Sequence, residues 1–101
     1  MVGRSSLLGT YKVEGSKQGY LEANRPYARP IAEVPGLRWK IWIIDEERRE
    51  AGGVYFFGDG ASAQAFLDGE IIAEMKGDPS LSIKTFDVLD ELTATTRGPI
   101  T

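Results

Sequence analysis

Nine consecutive residues constrain this fold more than any others. From Leu37 to Asp45 the chain reads LRWKIWIID. As a strand it places Leu37, Trp39, Ile41 and Ile43 on one face, and Arg38, Lys40, Trp42 and Ile44 on the other. Large apolar groups on both faces require that both sides of the resulting sheet be at least partly covered.

The neighbouring segments extend that sheet. The charged run Asp45–Glu50 reads as a solvated turn, and Ala51 to Phe57 returns as a second strand. Leu7 to Glu14 alternates as a strand and is broken by Gly15-Ser16, with Ser16 placed to cap a helix. Residues 17 to 34 carry helical spacing through Leu21, Ala28, Ile31 and Ala32. Pro26 and Pro30 each remove an internal hydrogen bond, so this helix is expected to kink or restart before Pro35-Gly36 ends it. After Gly58-Asp59-Gly60, an apolar stripe of Ala63, Phe66, Leu67, Ile71 and Met75 predicts a second helix, weakened midway at Gly69. Leu81 to Val88 reads as the last strand. The tail from Asp90 to Thr101 is expected along the surface or against a neighbour.

The order strand, helix, strand, strand, helix, strand predicts an α+β, ferredoxin-like βαββαβ domain over residues 1–101. Its sheet has four antiparallel strands with both helices on one face. The uncovered face then carries Trp39 or Trp42 with one register of Val54–Phe57. Such a surface calls for a second copy, so a homodimer is expected.

Composition removes whole classes of chemistry. The chain has no Cys and no His. Disulfides, thiolate nucleophiles, imidazole triads, structural zinc and a haem on His or Cys are therefore excluded. Carboxylates stay as the ordinary metal ligands, but no compact acidic loop has calcium spacing, so no metal site is expected. A net charge of -3 offers no field for nucleic acid or an acidic membrane. Met1 to Lys12 lacks the apolar run of a secretory signal, and a soluble cytoplasmic protein is expected.

Two stretches carry a resemblance. Pro35-Gly36-Leu37-Arg38-Trp39-Lys40-Ile41-Trp42 and Glu50-Ala51-Gly52-Gly53-Val54-Tyr55-Phe56-Phe57, joined by an acidic turn, resemble the small mono-oxygenase family of the dimeric α+β barrel superfamily. These proteins are relatives of the antibiotic-biosynthesis mono-oxygenases. Ser62-Ala63, Ala65, Leu67 and Thr85-Phe86-Asp87-Val88 are also similar, and the likeness spans about Leu7 to Leu92. The resemblance implies a homodimer whose sheets form a barrel, with a pocket in each subunit. It also implies oxidation of a small aromatic or polycyclic, phenol- or quinol-like compound by dioxygen without flavin, haem or metal.

Such chemistry needs a flat electron-rich substrate, a proton-transfer group and a group that stabilises an oxyanion. A four-residue turn at Glu46–Arg49 sets Asp45 opposite Glu50. With that turn Trp42 pairs with Gly53, Lys40 with Tyr55 and Arg38 with Phe57, whereas a register slip of one residue sets Val54 and Phe56 with Trp42 instead. The candidate catalytic residues are Trp42 as stacking platform over the glycine, Tyr55 as hydrogen-bond or proton-transfer group, and Lys40 as anion stabiliser. A lysine beside Tyr55 in a dry site would favour phenolate. Arg38, Trp39, Phe57, Phe66, Tyr27 and Asn24 are candidate substrate contacts, with Tyr20 a further polar one. Each has a plainer role as well: Trp42 filling a glycine gap, Lys40 and Arg38 snorkelling, Tyr55 and Trp39 packed in core, and Phe66 in the helix stripe. Gly52-Gly53 lies within a strand and reads as a β-bulge rather than a phosphate loop. A hydrophobic-metabolite binding module and an isomerase or lyase on the same scaffold stand as alternatives to the oxygenase.

Overall fold

The structure, a computed structural model, describes residues 3–100. Met1, Val2 and Thr101, at the ends of the N-terminal stretch and tail read above, lie outside the described residues. The elements are β1 (Ser5–Lys12), α1 (Lys17–Ala32), β2 (Leu37–Asp45), β3 (Glu50–Phe57), α2 (Gly60–Leu67), α3 (Glu70–Met75), β4 (Ser82–Asp87) and α4 (Asp90–Thr95). The four strands form one antiparallel sheet in the order β2-β3-β1-β4. This is the expected α+β ferredoxin-like fold, with a short fourth helix added.

Pairing across β2 and β3 follows the turn. Asp45 pairs with Glu50, Trp42 with Gly53 and Lys40 with Tyr55. The Asp45 carboxylate accepts from the Arg48 amide at 3.0 Å, and Arg49 takes a positive φ of 55° to close the four-residue loop. One face of the sheet packs on α1, α2 and α3 through Leu7, Tyr55 and Phe57 against Ile31, Ala63, Phe66 and Ile72. Phe57 is fully buried, and Phe66 tilts against both Phe57 and Tyr55 at centroid distances of 5.6 and 5.0 Å. Aromatic area of this size is the largest apolar contribution available to a small domain.

Three local expectations need correction. The irregularity in the sheet lies between Leu37 and Trp39, whereas Gly52-Gly53 pairs without interruption. Leu37 therefore joins Phe57 on the helix side while Trp39 pairs with Phe56 on the open side. Arg38 sits in the bulge rather than opposite Phe57. The first helix runs unbroken through Pro26 and Pro30. Its start is capped by the Ser16 hydroxyl accepting from the Gly19 amide at 3.0 Å. The second helix is two, α2 and α3, because Gly69 is extended at φ -86°, ψ 179° and restarts the chain as a new N-cap. The tail runs along the surface as expected, forming α4 and then returning to the sheet, where the Trp39 indole N–H donates to the Pro99 carbonyl at 2.8 Å.

The open face carries Leu8, Trp39, Ile41, Val54, Phe56 and Phe86, placed there by strand alternation and pairing. Trp39 stacks on Phe56 at 5.2 Å, burying it, while Ile41 and Phe86 are half exposed.

Candidate functional site

Between the helix-covered face of the sheet and the helices α1 and α3 lies a cavity of about 410 Å³. Its floor is Leu7, Gly9, Gly53 and Tyr55; Tyr27, Asn24 and Ile31 of α1 face Ile71, Ile72 and Met75 of α3 across it. Lys40 and Trp42 reach it from β2. Strand β3 is flanked on both sides, so its inward residues must be apolar or small, whereas the helix-facing positions of the edge strand β2 can carry a long polar side chain to the cavity.

The structure brings Lys40, Trp42, Tyr55, Tyr27 and Asn24 to one cavity and leaves the other sequence candidates elsewhere. Phe57 and Phe66 belong to the core beneath Tyr55. Trp39 is on the opposite face. Arg38 points to the end of the sheet, where its Nε would stand 2.9 Å from a side chain at Gly58, and it lowers the carboxyl of nearby Asp59 less than the Ser62 hydrogen bonds do.

Gly53 does not hold an indole. The Lys40 stem lies over it, so that a Cβ at Gly53 would meet Lys40 Cε at 2.3 Å. This path carries Nζ to 3.3 Å from the Trp42 ring centroid and 4.7 Å from that of Tyr55. Contacts of this kind favour the ammonium. The indole face expected to stack on a ligand is thus occupied by a cation. The ion pairs among the described residues, Arg4–Asp90 and Arg48–Asp45, leave Lys40 without a carboxylate partner. Burial pulls the Lys40 ammonium down to about 8.

Tyr55 moves the opposite way from the phenolate expected beside a lysine. Burial, reinforced by Tyr11, pushes its hydroxyl up to about 12, so at neutral pH it is a hydrogen-bond donor. A second phenol pair stands beside it. The Tyr11 and Tyr20 hydroxyls share a 2.5 Å hydrogen bond joining β1 to α1, and burial followed by that bond pushes Tyr20 well above the ordinary range. Tyr11 was not singled out in the sequence. Its alternation with Leu7 puts the two on one face of the strand, but only the helix position supplies its partner.

A family model described as "Putative mono-oxygenase ydhR" matches residues 10–99. The chain belongs to that family. Among solved structures it is similar to a protein of unknown function from Nitrosomonas europaea, at 20% identity and a TM-score of 0.66, covering 86% of this chain and 90% of the other. SnoaB, a cofactor-independent oxygenase from Streptomyces nogalater, is similar at 10% identity and a TM-score of 0.64, with 86% and 94% covered. A heme-degrading protein from Mycobacterium tuberculosis matches at 15% and 0.64, with 88% and 94% covered. At these identities the structures share the fold. No curated protein matches the chain by sequence.

Within this ydhR-family chain no group of three or more acidic side chains among the described residues is arranged to hold a metal. No helix among them is long and apolar enough to cross a membrane.

The buried lysine sets a pH dependence. An unfolded chain keeps the lysine proton up to about 10.5, whereas the folded one gives it up near 8. The unfolded state thus binds more protons between pH 8 and 10.5, and stability from this group rises with pH across that window. Below pH 8 the cost of burying the charge is present in full. From 10 to 12 Tyr55 acts in reverse, because the folded state retains a proton that the unfolded state releases. Urea midpoints are expected to show Lys40→Met more stable than wild type at pH 7, with the gap narrowing as pH rises towards 10.5. A gap that does not change with pH would mean Lys40 is solvated as a surface lysine is.

Proposed function

We propose that the protein is a cofactor-independent mono-oxygenase acting on a small aromatic or polycyclic phenol or quinol-type compound. The observation that carries the reading is the cavity's pair of polar groups: a half-buried ammonium at Lys40 that makes no ion pair among the described residues, and a protonated phenol at Tyr55. A phenolate or enolate oxygen entering beside Lys40 supplies the missing countercharge, and Tyr55 donates a hydrogen bond to it. Both effects favour the substrate anion over its conjugate acid. Family membership supports oxygen as the co-substrate.

The chemistry balances without a further reductant. The substrate anion passes one electron to dioxygen, and the radical pair combines to form a carbon–oxygen bond at a ring CH. The resulting peroxide loses its O–O bond and the carbon its remaining proton. One oxygen atom ends as a ring carbonyl and the other as water. Lys40 stays an ammonium beside the anion, and the proton released when the substrate ionises leaves to solvent. The apolar walls exclude water from the anion.

Oxygen uptake by metal-stripped protein with anthrone- or quinol-type compounds tests this directly. Turnover above buffer is expected, rising as the substrate ionises and falling as Lys40 loses its proton above pH 8. Saturable binding without uptake across a broad panel would leave a hydrophobic-metabolite binding module, and turnover without oxygen an isomerase or lyase.

The open sheet face completes the reading. Ile41 and Phe86, each about half exposed at 52% and 51%, lie with Leu8, Trp39 and Val54 on one uncovered surface, and a second copy stacked there closes the barrel. Sedimentation is expected to give a particle of twice 11.1 kDa, and Ile41→Asp combined with Phe86→Asp to give the single chain. Wild type sedimenting as the single chain would remove the dimer.

A further inference from the structure

A second hollow of about 490 Å³ opens outside the first, between α1 and the edge strand β2. Trp42 and Asn24 line both spaces, and the linked hydroxyls of Tyr11, on the inner side, and Tyr20, on the outer, complete the wall between them. Asn24 is held in that wall because its side-chain amide donates to the Tyr20 carbonyl at 2.9 Å.

The two spaces differ in charge. The inner one carries Glu74 and Asp78 besides Lys40. The outer one has an apolar floor of Leu21, Ala28, Ile43 and Ile44, with Lys17 and Arg25 at its rim and no carboxylate in its lining. At the Lys17 end Glu46 approaches, accepting from the Lys17 amide at 2.7 Å. Arg25 takes part in no ion pair among the described residues. An apolar trough ending in an unpaired guanidinium complements an aliphatic chain with a terminal carboxylate. Because Trp42 and Asn24 line both spaces, the groove adjoins the inner cavity, and a chain passing beside Trp42 is an extension of whatever sits inside.

We infer that the substrate is an extended aromatic acid, its ring held in the inner cavity and a carboxylate-bearing side chain laid through the α1–β2 groove to Arg25. This rests on the reading of the inner cavity as the aromatic site. Trp42 becomes the divide between ring and tail, and Arg25 the residue that selects for a charged tail.

Calorimetric titration with three probes separates the two claims: a naphthol, the same naphthol carrying a pentanoate chain, and the methyl ester of that compound. The carboxylate is expected to bind wild type about fivefold more tightly than its ester at low salt, the scale of one solvent-accessible ion pair, and the preference is expected to shrink as salt is added. Arg25→Glu removes the preference and leaves the parent naphthol unaffected. Arg29→Glu, on the same helix but lining neither space, keeps it. Equal binding of acid and ester to wild type, or loss of the preference in both variants, overturns the groove assignment while parent naphthol binding sustains the cavity. Failure of the parent naphthol to bind overturns the cavity reading and the groove with it.

Discussion

Lys40→Met is expected to lower kcat/KM for an electron-rich phenol about 100-fold, with the fold intact. Among the described residues the lysine is the one cation lining the cavity beside Tyr55, and removing a single preorganised group that stabilises a developing oxyanion costs on the order of 100- to 1000-fold. Loss of folding cannot account for the defect. Methionine has a similar length, fills the space over Gly53, and removes a charge whose burial is unfavourable. Tyr55→Phe keeps the ring packed on Phe57 and Phe66 and deletes only the donor, so a smaller loss of about tenfold is expected. Oxygen-uptake kinetics measure both. A Lys40→Met enzyme within a few-fold of wild type would move the anion site elsewhere.

Gly52→Ala is expected to destabilise the protein by about 3 kcal/mol, near the top of the usual overpacking range. A Cβ there would stand 1.8 Å from the Gly9 carbonyl oxygen and 2.8 Å from Thr10 Cα. Both are backbone atoms of β1, paired on its far side to β4, so neither can withdraw without disturbing two ladders. The adjacent glycine predicts a different outcome. At Gly53 the Cβ meets the Lys40 stem, which can swing aside, so Gly53→Ala trades little stability for a displaced Nζ and a loss of turnover. Gly9→Ala, with only Leu7 Cδ2 at 3.7 Å, is expected to be tolerated. Urea unfolding of the three variants, with oxygen uptake on Gly53→Ala, checks the set. Equal stability of Gly52→Ala and Gly9→Ala would show that the two strands lie further apart than the structure places them.

Much of the site could be read before any coordinates. The β2–β3 register follows from one count, the four residues between Asp45 and Glu50, because a two-residue side-chain period leaves no freedom once the turn is set. That count put Lys40, Trp42 and Tyr55 on one face. It did not anticipate the bulge at Arg38, which reverses the side taken by Leu37 and removes Arg38 from the series, since nothing in Pro35-Gly36-Leu37-Arg38 distinguishes a bulge from a regular strand. The glycine pair drew the bulge assignment instead. Its actual purpose depends on partners distant in sequence: the β1 backbone for Gly52 and the Lys40 stem for Gly53.

Local pattern was sufficient for the succession of strands and helices, the β2–β3 hairpin and the apolar character of both sheet faces, because alternation and turn length act between neighbours in sequence. Tertiary structure alone decided the protonation of the site. A lysine next to a tyrosine suggests phenolate in isolation. Packing α1 and α3 over the pair withdraws water from both, and desolvation then favours the neutral phenol and weakens the ammonium. The position of Arg25 beside a groove that adjoins that cavity likewise exists only once α1 lies against β2.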